Sequence, residues 1–257
     1  MLVVAPPSFA HGVLGSLIVE GLARELEARE LGLVQLTGHP EGLSPASHLS
    51  PAVVLTSATP DDPDFTGWRA SFRVPVLPAF PGRDAHIAAA ARAQAHHARS
   101  RGYSRVVYVA PPEPALATMS ALRHDALGSW ARRHGIAVAD SVVLGRGRAD
   151  WAEQARRLHD SHGPDVLVCA YNDDVALAVL AGASDAGLSV PTDLAVIGAD
   201  DTPAAERSVP ALTSVGADFS AFVNAMADTV EAAASGRPVE LPSLPVDLQV
   251  AVRASSP

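Results

Sequence analysis

Short apolar runs alternate along this chain with longer amphipathic stretches. Apolar runs bounded by turn residues are typical of buried strands, and apolar positions recurring every three to four residues are typical of helices. Leu2–Ala5 and Val166–Ala170 are runs of the first kind, whereas Gly15–Arg29 and Asp174–Ala186 are of the second. This alternation predicts βαβ units and therefore an α/β fold with parallel sheets.

The same pattern assigns most of the chain to strands and helices. The predicted strands are Leu2–Ala5, Leu33–Leu36, Ala52–Thr56, Val74–Leu77, Arg105–Val109, one within Ile136–Leu144, Val166–Ala170, Leu194–Ile197 and one near Leu248–Val252. The predicted helices are Gly15–Arg29, Ile87–Arg101, Ala115–His134, Asp150–His162, Asp174–Ala186 and Phe219–Ala234.

The length of 257 residues suits two lobes of about 100–150 residues each. Proline-rich or turn-rich segments mark candidate crossings between them at Ala110–Pro114, Pro210–Ala217 and Pro238–Pro245, and a further proline-rich loop covers Ser57–Thr66. Three crossings suit two lobes that open and close by hinge motion. The predicted lobes are residues 1–109 with 217–240, and residues 110–216 with 241–257.

Composition narrows the class of protein. Net charge is −9 and every basic residue is an arginine. An acidic chain without a basic cluster is not expected to bind nucleic acid by itself. Cys169 is the single cysteine, which excludes an intrachain disulfide, and its apolar surroundings indicate a buried position. No apolar run approaches the ~20 residues of a membrane span, and no signal peptide is recognisable, so a cytoplasmic location is expected.

Polar pairs follow two of the predicted strands. Asn172 and Asp173 come after one strand, and Asp200 and Asp201 after another. Ligands bind at the carboxyl ends of strands in open α/β sheets, so this placement predicts recognition of a small polar molecule. One of Asn172 and Asp173 is expected to cap the following helix, leaving the other for a ligand. The two aspartates are compatible with a metal site, a general base or a turn, and the lack of a nearby histidine disfavours metal.

Two further residues are candidates for ligand contacts. Arg123 is poorly placed for the helix dipole, which favours a specific partner, and Asp200 is its natural partner; a solvated helix arginine is the alternative. Trp151 offers an apolar ring platform, and packing of a helix start is the alternative. Gly-x-Ser-x-Gly, Walker and His-Glu-x-x-His motifs are absent, so neither an enzyme, nor a cofactor, nor a metal is expected.

Several segments together resemble one family. YNDDVALAV, IGADDTP, SALRHDALGSW and QAHHARSRGYSRVVYV are similar to motifs of the effector-binding domain of LacI/GalR-type bacterial transcription regulators. The resemblance is strongest from Pro164 to Val215. It departs from the family where Ala126 and Leu127 replace a glycine and an aromatic residue. It also departs in the first lobe, where the Asn-Pro-Phe-Phe sequence is missing and Phe9 and His11 lie in that loop.

The resemblance implies a periplasmic-binding-protein-like fold of type I, in which two Rossmann-like lobes enclose a ligand cleft. It implies a homodimer that senses a small polar effector, a sugar or related carbohydrate, and controls operator binding by an attached helix-turn-helix headpiece that this chain lacks. The ligand-binding residues that it implies, together with the arguments above, are Asn172, Asp200, Arg123, Trp151, Phe9, His11 and Tyr171.

Two other functions share this fold class. A solute-binding protein of an ABC-type sugar transporter is the main alternative, and the missing signal peptide argues against it. An α/β hydrolase acting on nucleosides or sugars is disfavoured because no catalytic set is recognisable. Dimerisation would favour the regulator, monomeric behaviour the transport protein, and turnover of the ligand the enzyme.

Overall fold

A computed structural model describes residues 2–5, 13–35, 50–61 and 63–257. Side chains are described for residues 15–34, 50–61 and 65–257. The chain forms two compact units. The first comprises Met1–Arg83 and Asp218–Pro245, and the second comprises Asp84–Ala217 and Val246–Pro257.

The first unit is a four-stranded parallel sheet with helices. In chain order its elements are β1 (Leu2–Ala5), α1 (Val13–Glu27), β2 (Gly32–Gln35), β3 (Val53–Thr56), α2 (Pro63–Ser71), β4 (Val76–Pro78) and, after the second unit, α8 (Ser220–Ala234). The strand order is β2-β1-β3-β4. Leu22 and Leu26 of α1 and Met226 and Val230 of α8 are buried against Leu55 of β3 in one apolar core.

The second unit holds a seven-stranded sheet. Its elements are α3 (Arg83–Ser100), β5 (Arg105–Ala110), a 3₁₀ helix (Pro114–Leu116), α4 (Ala117–Arg133), β6 (Ala137–Val138), β7 (Val142–Val143), α5 (Arg148–His162), β8 (Val166–Ala170), α6 (Asp173–Asp185), β9 (Ala195–Ala199), α7 (Pro203–Arg207), β10 (Thr213–Gly216) and β11 (Gln249–Ala251). The strand order is β11-β10-β9-β8-β5-β6, and β7 also pairs with β5.

The directions of the strands determine where their carboxyl ends meet in the second unit. All strand pairs in this sheet are parallel except β10 with β11. The chain runs from β5 to β6 and β7 on one side and returns to β8 on the other, so the strand order reverses between β5 and β8. The carboxyl ends of strands at such a switch point form the usual ligand crevice of open α/β sheets.

The predicted α/β fold with two lobes and parallel sheets is confirmed, but one predicted lobe boundary is wrong. The strand predicted at Arg105–Val109 is expected in the first lobe, and it instead pairs with β8 in the second sheet. The chain enters the second unit at Asp84. The prolines after β5 predict a crossing between lobes, whereas they lead from a strand into a 3₁₀ helix that begins with Pro114. Proline has no backbone N–H that needs a hydrogen-bond partner, so it suits both the segment after a strand and the first position of a helix.

Three elements were missed by the hydrophobic pattern, namely α2, α7 and β10. The loop predicted over Ser57–Thr66 contains the start of α2, with Pro63 as its first helical residue, a position where the fixed φ of proline is favourable. The strand β10 was not predicted, because Thr213–Gly216 is short and small and follows a proline. It is nevertheless a central strand between β9 and β11.

Candidate functional site

Asn172 begins α6 and caps it. Its Oδ1 accepts a hydrogen bond from the backbone N–H of Val175 at 3.0 Å, and the residue is buried. A cap of this kind satisfies one of the helix's orphan N–H groups. The Nδ2 group of Asn172 has no hydrogen-bond partner within the part of the chain that the structure describes. Asn172 therefore combines the capping role with an amide donor at the carboxyl end of β8.

Asp173 has a structural role that the sequence did not indicate. Its Oδ1 accepts from the Ser214 hydroxyl at 2.5 Å, and its Oδ2 accepts from the Thr202 N–H at 2.7 Å and the Thr202 hydroxyl at 2.9 Å. This buried carboxylate ties the start of α6 to the turn after β9 and to β10. Burial raises the pKa of Asp173 to about 6, against the three hydrogen bonds that lower it.

Asp200 and Asp201 form a turn with unusual backbone geometry. Their φ angles are +106° and +49°, in the left-handed half of conformational space that non-glycine residues seldom adopt. The Asp200 N–H donates to the carbonyl of Val215 at 2.7 Å, and the Asp201 carboxylate pairs with Arg253 at 2.7 Å. Strained backbone of this kind persists only where its surroundings hold it in place, and it clusters at functional sites.

The carboxyl group of Asp200 is partly buried and has no hydrogen-bond partner among the described residues. Burial raises its pKa to about 8; the Arg123 guanidinium opposes this shift, and the carboxylates of Asp173 and Asp174 add to it. A carboxyl group with a pKa near neutrality can serve either as a donor or as an acceptor of a hydrogen bond.

Arg123 lies on α4 and is buried, with 4% of its surface exposed. One guanidinium nitrogen donates to the backbone carbonyl of Tyr171, and the guanidinium carbon lies 4.8 Å from the centre of the Tyr171 ring. Its Nε has no hydrogen-bond partner within the described chain. The predicted ion pair with Asp200 within 4 Å is not formed between these described residues, although the two groups interact electrostatically.

Gln94 supports this edge of the sheet from α3, and sequence reasoning missed it. Its side-chain amide donates to the carbonyls of Ala170 at 2.9 Å and Gly198 at 3.1 Å, which bridges β8 and β9. The residue is fully buried and its Oε1 has no partner in the described part of the chain. A glutamine among alanines in an apparently surface helix offered no signal of this role.

Trp151 lies apart from that group. Its Nε1 donates to the carbonyl of Gly145 at 2.6 Å, and its ring borders a small apolar cavity with Leu144 and Val179. Its backbone packs against Gly182, where an added Cβ would lie 2.4 Å from the Trp151 carbonyl oxygen. Gly182 is ten residues beyond Asn172, about 15 Å along α6 at 1.5 Å per residue. The contacts of Trp151 are those of a packed helix start.

The structure thus brings Arg123 onto Tyr171, beside Asn172, and within electrostatic reach of Asp200. The other two predicted site residues, Phe9 and His11, lie outside the described residues. Across those residues, no group of three or more histidine, cysteine, aspartate or glutamate side chains is arranged to hold a metal ion. No helix among them is long and apolar enough to cross a membrane.

The fold is of the α/β class, and comparison with known proteins gives the family of the chain. Residues 95–256 match the model of the periplasmic binding protein-like domain. The chain belongs to this family.

Its curated relatives are transcription regulators. It is 41% identical over 63 residues to the HTH-type transcriptional regulator DegA of Bacillus subtilis, covering 24% of this chain and 18% of that protein. It is 30% identical over 119 residues to the HTH-type transcriptional regulator GalS of Salmonella typhimurium, covering 45% of this chain and 34% of that protein. The aligned segments therefore span about a third or less of these relatives.

The fold is similar to that of a lac repressor. A dimeric lac repressor with a C-terminal deletion superposes with a TM-score of 0.80 at 19% identity, over 100% of this chain and 98% of the other. The resemblance to LacI/GalR-type regulators that the sequence motifs indicate is confirmed.

Proposed function

We propose that this chain is the ligand-sensing and dimerisation domain of a LacI-type transcription regulator, and that it binds a small polar effector at the carboxyl edge of the second sheet. The observation that carries the proposal is the buried Arg123, whose Nε lacks a partner among the described residues and whose guanidinium interacts electrostatically with the Asp200 carboxyl group. Leaving a buried charged donor without an acceptor costs about 1–3 kcal/mol or more, and a ligand acceptor removes that cost.

The similarity to curated transcription regulators supports this role. Operator binding then belongs to a helix-turn-helix module attached to the sensing domain, and the active form is a homodimer. Effector binding alters operator affinity only if the two states of the regulator differ in their affinity for the effector.

We further propose a carbohydrate or related polyol as the effector. Arg123 Nε and the Asn172 amide donate, while Asp200 accepts or donates according to its protonation, and this set suits hydroxyl groups that do both. Tyr171 contributes by holding the guanidinium. Phe9 and His11 remain predicted contacts, whereas Trp151, packed at the start of α5, is left out of this set.

The test is a thermal-shift screen of the purified chain against sugars, sugar phosphates, nucleosides and purines, because a ligand that binds only the folded state raises the melting temperature. Affinity for a hit is then measured by calorimetry in three variants. Asp200→Asn and Arg123→Lys are expected to weaken binding at least about tenfold, the equivalent of 1.4 kcal/mol.

Asn172 needs a variant that keeps the helix cap. Asn172→Ser retains an oxygen that can accept from Val175 N–H but removes the amide donor. It is expected to preserve stability and weaken binding. Asp201→Asn is the matched control, because that carboxylate pairs with Arg253. Unchanged affinity in Asp200→Asn and Arg123→Lys would reject this edge as the binding site.

A further inference from the structure

Two helices of the second unit together form a basic surface in an acidic protein. Residues 91–134 carry seven arginines against two carboxylates, a formal charge of +5 within a chain of net charge −9. The sequence did not indicate a basic cluster, because these arginines are spread over more than forty positions, on two helices, a turn and a strand. The tertiary structure brings a subset of them together.

The first row of this surface lies on α3. Arg92, His96 and Arg99 are exposed and spaced four and three residues apart, which places them on one face of the helix. The opposite face carries Ala91, Ala95 and Ala98, which are buried in the core. The row spans about 10 Å at 1.5 Å per residue.

The second row lies at the end of α4, and ring contacts between histidine and tryptophan side chains connect it to the first row. The His96 ring contacts Trp130 edge-on at 5.9 Å, and the His134 ring stacks on Trp130 at 3.7 Å with 16° between the planes. The His134 Nδ1 lies 2.8 Å from the Trp130 carbonyl oxygen. Arg133, also exposed, is held by a hydrogen bond from its Nε to the Ser129 carbonyl at 3.0 Å. The basic patch thus comprises Arg92, His96, Arg99, Trp130, Arg133 and His134.

The arginines of the basic patch are not neutralised within the described chain. No carboxylate among the described residues lies within 4 Å of Arg92, Arg99 or Arg133, whereas Arg148 pairs with Asp185 on the other side of the unit. Arginine and tryptophan contribute strongly to binding at protein interfaces. The basic patch offers both, with unpaired arginines around a tryptophan ring that is held in place.

We propose that the basic patch is a docking surface for a short acidic segment of a partner protein. The charge distribution selects this occupant. Outside residues 91–134 the chain carries a formal charge of −14, and charges interact over a Debye length of about 8 Å at physiological salt. A long polyanion such as duplex DNA extends past the 10 Å row onto acidic surface, whereas a segment with a few carboxylates stays within it.

The probe is a fluorescein-labelled peptide of twelve glutamates, with a labelled twelve-base-pair DNA duplex beside it, and binding is followed by anisotropy. The purified chain is compared with Arg92→Glu/Arg99→Glu and with the control Arg146→Glu/Arg207→Glu. The control residues are exposed arginines outside the basic patch, and both double variants change the net charge equally.

The wild-type chain is expected to bind the peptide in a salt-dependent manner. The patch variant is expected to lose at least about tenfold in affinity and the control less than about twofold, since charges act through local complementarity. Peptide binding should also change the emission of Trp130, a change absent in Trp130→Phe. Equal losses in the two double variants, or no peptide binding by the wild type, would overturn the proposal. Tighter binding of the duplex would reassign the surface to nucleic acid.

Discussion

Asp200 carries a carboxyl group whose surroundings favour its protonated form. Its pKa is raised to about 8, with burial as the main cause. A group whose folded pKa lies above its unfolded value contributes stability that is fully present below the unfolded pKa, near 4, and is lost as pH rises through the folded pKa. The charged form of Asp200 is therefore destabilising in the absence of ligand.

We predict that Asp200→Asn raises the free energy of unfolding, and that the gain grows from pH 5 to pH 8.5. Asparagine keeps the shape and tolerates the positive φ, but it cannot ionise. Urea unfolding of wild type and variant at the two pH values measures the difference. Asp201→Asn removes the ion pair with Arg253 and should not stabilise the protein. A gain from Asp200→Asn that is equal at both pH values would contradict the assignment.

Gly198 shows a steric requirement at the same site. A Cβ on Gly198 would lie 2.2 Å from Asp173 Oδ1 and 3.0 Å from Leu212 Cδ2. We predict that Gly198→Ala displaces the Asp173 carboxylate and lowers the free energy of unfolding by about 2–3 kcal/mol, as overpacking of a full core does. Gly67 of α2 is the control, since an added Cβ there meets no atom within 4 Å. Gly67→Ala should stabilise by about 0.5–1 kcal/mol, and similar effects of the two variants would refute the prediction.

Among the secondary-structure elements of the second unit, several are connected by hydrogen bonds to the last residues of the chain. The fully buried Ser255 hydroxyl donates to the Val196 carbonyl at 2.7 Å and accepts from the Thr213 N–H at 2.8 Å. Ser256 and His97 add a further contact, with His97 Nε2 lying 2.9 Å from the Ser256 hydroxyl. This tail joins β9, β10 and α3, which come from distant parts of the sequence.

We predict that Ser255→Ala lowers the free energy of unfolding by about 1–3 kcal/mol, because it leaves the buried Thr213 N–H without an acceptor. Chemical denaturation measures the loss. Ser235→Ala, at an exposed position after α8, should stay within about 0.5 kcal/mol of wild type. A Ser255→Ala protein as stable as wild type would show that the tail does not hold these strands.

At the scale of the whole molecule, each unit has its own apolar core. Leu22 is buried in the first and Leu167 in the second, each with 1% or less of its surface exposed. We predict that Leu22→Ala and Leu167→Ala each cost about 2–5 kcal/mol, with faster amide hydrogen exchange confined to the unit that carries the substitution. Exchange that rises equally in both units after either substitution would show instead that the units unfold as one.

The class of fold follows from the sequence alone, and so does the expectation that a ligand binds at the carboxyl edge of the second sheet. Buried strands such as Val166–Ala170 and amphipathic helices have local periodicities, so they can be recognised without knowing their neighbours. The Asn172 and Asp200 turns follow from the same logic, because the carboxyl ends of parallel strands carry the ligand contacts of open α/β sheets.

The tertiary structure shows which polar groups form hydrogen bonds inside the protein and which do not. Asn172 caps α6 while Asp173 links it to Thr202 and Ser214, a division that the sequence left open. The placement of β5 in the second sheet and the role of Gln94 were likewise hidden. These features depend on contacts between residues distant in sequence, and a side chain's burial and hydrogen-bond partners are set by such contacts and not by local pattern.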